Sequence, residues 1–141
     1  MMEIMTYCMD TAAILVTGGF NMSSGGVLST VEVLHGDGSP WCSLPDLPED
    51  RRSHTQTGLE ACGGYGYDPS FTCVRLEASS WTPSPSHQLF HQRWDHTSWA
   101  SPAGTLLMGG SLPGLGSLTT ELLDANTGDS VPSFPLKYDT Q

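Results

Sequence analysis

Basic residues are scarce in this 141-residue chain: Lys and Arg together number 5 against 15 Asp and Glu, giving a formal net charge of −10. Affinity for a nucleic-acid backbone rests on cations that displace counterions from phosphates, so this composition excludes a nucleic-acid partner. An anionic membrane surface is disfavoured for the same reason. Apolar runs are short as well. None approaches the ~18 residues of a membrane-spanning helix, and no window keeps a 3.6-residue apolar period. Met1 to Thr11 lacks the basic start of a secretory signal and is interrupted by Glu3 and Asp10. The Gly-x-Ser-x-Gly elbow of hydrolases is missing. Gly63-Gly64-Tyr65-Gly66 and the glycine-rich stretch 109–116 lack the Lys-Ser/Thr of a phosphate loop.

The chain does hold 16 glycines and 10 prolines with only 14% charged residues, a composition of strands and turns. Its glycines recur in pairs, Gly18-Gly19, Gly63-Gly64 and Gly109-Gly110, at steps of 45 and 46 residues. A period in this range marks a repeat architecture. Each pair ends an apolar run (Ala13 to Thr17, Leu59 to Cys62, Thr105 to Met108), as expected where a chain leaves a strand through positive φ. A second segment follows: Thr30-Val31-Glu32 in the first copy and Thr119-Thr120-Glu121 in the third, with Thr72-Cys73-Val74 a poorer match between them. Next come a turn signal and then Trp41 or Trp81; the third copy has no Trp there. Arg51 and His54 recur as Arg93 and His96 at an offset of 42, an offset that Leu47 and Leu89 share. His54 lies nine residues before Gly63, whereas His96 lies thirteen before Gly109. The longer copy has room for a turn at Ser101-Pro102-Ala103-Gly104. The shorter one has either two abbreviated strands or one bulged strand.

The unit, Trp–Leu–Arg–His–(apolar)–Gly-Gly–Thr-x-Glu–turn–Trp, resembles the kelch repeat of β-propeller proteins from about Ala12 to Leu136. The resemblance implies an all-β fold: a partial kelch-type propeller of about three four-stranded antiparallel blades. These would span roughly 3–45, 46–88 and 89–136 of a single domain covering 1–141. In that family the diglycine follows the second strand and the Trp lies in the fourth. Propellers close with about 4–8 blades. The expectation is therefore an incomplete ring, a fragment of a longer propeller cut within a repeat at both ends, with a ring completed by self-association through open blade edges as the alternative.

In kelch propellers the loop carrying the Arg motif opens onto a face that commonly binds peptides or proteins. Carried over by motif position, the binding residues are Arg52 and Ser53 in one blade, and Trp94 and Asp95 in the next. The function implied is a non-catalytic scaffold for a protein or peptide partner, with no cofactor. The alternative is a piece of a propeller enzyme such as a copper radical (galactose-type) oxidase. That chemistry needs a Cys-linked Tyr, a second Tyr and two His, and no local pattern joins Tyr65, Tyr67, His91 and His96. Trp41 and Trp81 are expected to pack, Trp99 to pack between blades, and Trp94 either to pack or to bind. His54 and His96 recur once per copy, which suits a structural hydrogen bond to neighbouring backbone rather than catalysis.

Four cysteines remain. Cys62 and Cys73 fall in what would be neighbouring antiparallel strands, a candidate disulfide contributing about 2–3 kcal/mol in the chain-entropy model. The alternative is a pair of buried thiols acting as small apolar groups. Cys8 and Cys42 show no partner in sequence. With the glycosylation tripeptide Asn21-Met22-Ser23, the candidate bridge leans toward an extracellular setting for the parent protein, with the cytoplasm as alternative. His87 and His91 have zinc-like spacing, but ten residues separate Cys62 from Cys73, so no metal site is expected.

Overall fold

The structure is a computed structural model that describes residues 13–36, 38–67, 70, 72–111, 119–124, 126–127 and 129–132. The described residues form an all-β protein of eleven strands in three antiparallel sheets, with no helix among them. The first sheet pairs β1 (Ala13–Asn21), β2 (Gly26–His35) and β3 (Cys42–Leu44) in that order. The second runs β4 (Thr55–Thr57), β5 (Glu60–Cys62), β6 (Thr72–Glu77), β7 (Ser80–Gln88). The third runs β8 (Thr97–Ser101), β9 (Gly104–Met108), β10 (Thr120–Asp124), β11 (Ser130–Pro132). Strands consecutive in sequence are neighbours in space, as short hairpin connections favour. The short second copy keeps two abbreviated strands: β4 and β5 have three residues each and turn through Gly58 at φ 58°.

The sheets stack face to face. Val31, Val33, Leu44 and Leu47 of the first meet Ala61, Val74, Leu76 and Trp81 of the second. Cys62 and Cys73 of the second share the next core with Leu89, Leu107 and Leu123. Alternation along β6 makes this possible: Cys73 points to one face while Val74 and Leu76 point to the other, and all three are buried. Among the described residues only the second sheet is covered on both faces.

The diglycines close the seams between sheets. The Gly19 amide donates to the Arg51 carbonyl (2.7 Å) and the Gly64 amide to the Arg93 carbonyl (2.8 Å), so the first two pairs hydrogen-bond to the next sheet's Arg segment. A Cβ on Gly63, at φ 64°, would sit 2.8 Å from the Arg93 carbonyl oxygen and 2.8 Å from the His96 ring. Only glycine takes that dihedral at that approach without penalty. The first copy departs from the expected strand exit. There β1 continues past the pair to Asn21, and a register shift between Thr17 and Gly19 absorbs the positive-φ residues as a bulge.

Two tryptophans depart from expectation. Trp81 is buried and its indole Nε1 donates across the seam to the Pro45 carbonyl at 2.7 Å. Trp41, its counterpart in the repeat, is 51% exposed, because it lies on the uncovered face of the first sheet. Trp99 is 60% exposed, because the third sheet's outer face is also uncovered among the described residues.

Candidate functional site

The site is built on two buried arginines. Arg51 and Arg93 are 1% and 0% exposed, and each binds its own copy's diglycine and Thr strand. Arg93 Nη1 donates to the carbonyls of Gly109 (2.8 Å) and Thr119 (3.2 Å), and Nη2 donates to Thr119 Oγ1 (3.1 Å). Arg51 does the same with Gly63 (2.9 Å), the Thr72 carbonyl (3.0 Å) and Thr72 Oγ1 (2.5 Å). The copies then diverge. Glu121, fully buried, accepts from Arg93 Nε (3.1 Å) and Nη2 (2.6 Å), from the amides of Phe90 and His91, and from Ser130 Oγ. Val74 holds that repeat position in the second copy, so Arg51 Nε is buried without a hydrogen-bond partner. Glu49, largely exposed, reaches Arg51 only at 3.5 Å. Burial lowers the Arg51 pKa from its usual value, with the Glu49 carboxylate pulling the other way.

These anchors place the residues that follow them at one end of the seam. The chain pairs Arg52 with Tyr65 (N–O distances of 2.9 and 2.8 Å) and Trp94 with Ser111 (3.2 and 2.8 Å). The next residues, Ser53 and Asp95, both sit at φ 54°, and the Asp95 amide donates to the Ser53 carbonyl at 3.0 Å. A left-handed non-glycine residue often marks function. Here it recurs in both copies, which identifies it as the turn geometry of the repeat.

Arg52, Ser53, Tyr65, Trp94 and Asp95 together line a shallow cavity of about 290 Å³. The four sequence-derived binding residues thus converge on one place, joined by Tyr65. The Arg52 guanidinium lies over the Phe20 ring (5.0 Å) and the Tyr65 ring (5.3 Å), and Tyr65 meets Trp94 edge-on at 5.7 Å. A row Phe20–Arg52–Tyr65–Trp94 results, drawn from all three copies. Each cation–π contact is worth about 0.5–1 kcal/mol at an exposed site and holds Arg52 in place. Among the described residues no salt bridge engages Arg52. The volume lies at the lower end of the range of about 300–1,000 Å³ usual for small-molecule pockets.

Behind the cavity lie the repeat histidines. Their partners are side chains of the preceding sheet, not the backbone expected from sequence. His54 Nε2 lies 2.8 Å from Thr17 Oγ1, and His96 Nε2 lies 2.9 Å from Thr55 Oγ1. Thr17 Oγ1 also donates to Gln56 Oε1 at 2.6 Å. Its proton being committed, it accepts from His54, which places that ring's proton on Nε2. The Nδ1 atoms of both rings are buried without partners. Burial first and Arg51 second push the His54 pKa down to about 4. Burial, then Arg93 and His54, push that of His96 down to about 3, with Asp95 opposing. Both rings are neutral at physiological pH, and a neutral buried imidazole that holds the seam is structural.

Cys62 and Cys73 face each other in the β5–β6 register and are joined by a disulfide. Cys42, without a partner in the sequence reading, is disulfide-bonded too, and no described cysteine is a free thiol. Glu60, Cys62 and Cys73 form the one cluster of three potential metal-ligating side chains among the described residues, and the disulfide occupies both sulfurs. Tyr65 lines the cavity, Tyr67 is 96% exposed, His91 meets the Phe90 ring edge-on, and His96 is buried on Thr55. The His87 side chain lies outside the described residues.

Sequence reasoning missed Phe20 and Tyr65. The signal was positional, since each directly follows a diglycine. Compared with family models and with curated proteins, the chain matches none.

Proposed function

We propose that this chain is a section of a kelch-type β-propeller, about three blades of an incomplete ring, that acts as a non-catalytic scaffold for a protein or peptide partner. One observation carries the reading: Arg52 and Ser53 from one repeat and Trp94 and Asp95 from the next line a single cavity with Tyr65. Arg, Trp and Tyr are the residues that most often dominate interface energetics. The contacts of Arg52 with Phe20 and Tyr65, and of Tyr65 with Trp94, restrict these side chains before a ligand arrives, which lowers the entropic cost of binding. The repeat supports the kelch assignment through its mechanics. Across each seam a diglycine amide donates to the next sheet's Arg carbonyl, and a His Nε2 meets a threonine hydroxyl of the preceding sheet, which gives the recurring motif a structural reason.

The test is affinity capture from an extracellular or cytosolic extract with the wild-type chain and with the Arg52→Ala/Trp94→Ala double variant. Partners captured by the wild type should be lost by the double variant while its circular dichroism stays unchanged. Equal capture by the two proteins would remove the proposed face.

A further inference from the structure

Strand register allows the sheets to be compared position by position. Thr17, Cys62 and Met108 precede the three diglycines and lie opposite Val31, Cys73 and Thr120. Counting from there, one face of each sheet carries Val16 and Leu34, Ala61 and Leu76, or Leu107 and Leu123. We refer to this as the front, and to the other face, bearing Val31, Cys73 or Thr120, as the back. In the first seam the front of the second sheet lies on the back of the first. In the second seam the front of the third lies on the back of the second. The stack therefore has a direction, and among the described residues it leaves one front and one back unused.

Both unused faces are apolar. On the first sheet's front Ile14 is 62%, Trp41 51% and Val16 43% exposed. Trp41 follows the β2–β3 register to a place opposite Leu34, as Trp81 lies opposite Leu76 inside the first seam. On the third sheet's back Trp99, Leu106, Leu122 and Val131 form one cross-strand row, with Trp99 60% and Val131 47% exposed. Contiguous apolar surface of this kind marks an interaction site.

We infer that a second copy of this chain covers these faces head to tail, the front of one copy's first sheet seated on the back of the other's third sheet. The interface continues the rule by which the sheets already pack within the chain, and it follows from the stack whether or not the ring is a kelch propeller. Trp81, buried with its indole on the Pro45 carbonyl, shows what a front Trp does once covered. The contact is heterologous, because the two faces differ, so it propagates or closes into a ring and does not stop at a symmetric dimer. Glu32 stands on the front at the position of Val74 and opposes burial, as does the net charge of −10. Association therefore strengthens with ionic strength.

Sedimentation velocity of the full chain tests this from about 1 to about 100 µM, a range in which mass action reveals weak association. The expected result is a mass that rises with concentration. Val16→Lys disables the front and Trp99→Lys the back; both sites are exposed, and Ile14→Lys with Val131→Lys provides a second pair should either variant misfold. Each variant alone should be monomeric. An equimolar mixture should form a dimer and nothing larger, since one intact front meets one intact back. Glu32→Val should tighten wild-type association about tenfold. A monomeric wild type, a mixture that fails to pair, a variant that still self-associates, or no gain from Glu32→Val would overturn the inference.

Discussion

Acid should loosen this protein through two histidines. His54 and His96 have pKa values lowered to about 4 and about 3 from an ordinary 6.5. The unfolded chain therefore binds protons before the folded one does. The stability these rings contribute is fully present above pH 6.5 and is lost as pH falls toward 4 and 3. Each unit below 6.5 costs about 1.4 kcal/mol per ring, so at pH 5 each ring has cost about 2 kcal/mol and the pair about 4. That is a large share of the roughly 5–15 kcal/mol of a typical domain. Urea denaturation followed by tryptophan fluorescence at pH 7.5, 6 and 5 measures it. The control is His54→Gln/His96→Gln, whose amide nitrogen can still donate toward the threonines but does not titrate. Its stability should fall less over the same range, by up to that amount. If wild type and double variant decline in parallel, or the wild type holds its stability to pH 5 within ~0.5 kcal/mol, the neutral-seam argument is wrong.

Removing the Glu121 carboxylate with Glu121→Ala strands a buried guanidinium and should cost about 3–5 kcal/mol; Glu32→Ala, an exposed carboxylate at the same repeat position, should cost under ~0.5 kcal/mol in the same chemical melts. Reducing Cys62–Cys73, or replacing it with Cys62→Ser/Cys73→Ser, should lower stability by about 2–3 kcal/mol, read against a non-reducing control. Gly63→Ala meets both a positive φ and the Arg93 carbonyl, whereas Gly25→Ala meets positive φ and open space. The first should destabilise by more than ~2 kcal/mol and the second by only about 1–2, and equal losses would contradict the close seam contact.

The repeat itself was legible because its markers act through backbone and sterics. The Arg51 and Arg93 carbonyls approach Gly18 and Gly63 so closely that a Cβ is excluded at both. Arg51 and Arg93 were visible as a spacing, but their burial was not, since an arginine in sequence reads as surface. Arg52 and Trp94 were legible through the motif that precedes them. Phe20 and Tyr65 were not, because Ser111 holds the third equivalent position and hides the aromatic trend. Trp41 and Trp99 show a further limit. A repeat position fixes which face a side chain takes, and the neighbouring sheet decides whether that face is covered. Glu121 and Val74 show the same limit in polar form: one offset, two environments, and an unpartnered Arg51 Nε as the result.

The arrangement of Arg51 and Arg93 also divides labour along the chain. Every invariant task in a seam falls to the guanidinium, the imidazole and the paired glycines, all turned inward. Their immediate successors, Arg52 or Trp94, Ser53 or Asp95, Phe20 or Tyr65, carry none of that burden and already differ between copies. Substitution at these outward positions, one at a time, therefore leaves the hydrogen bonds of the framework intact.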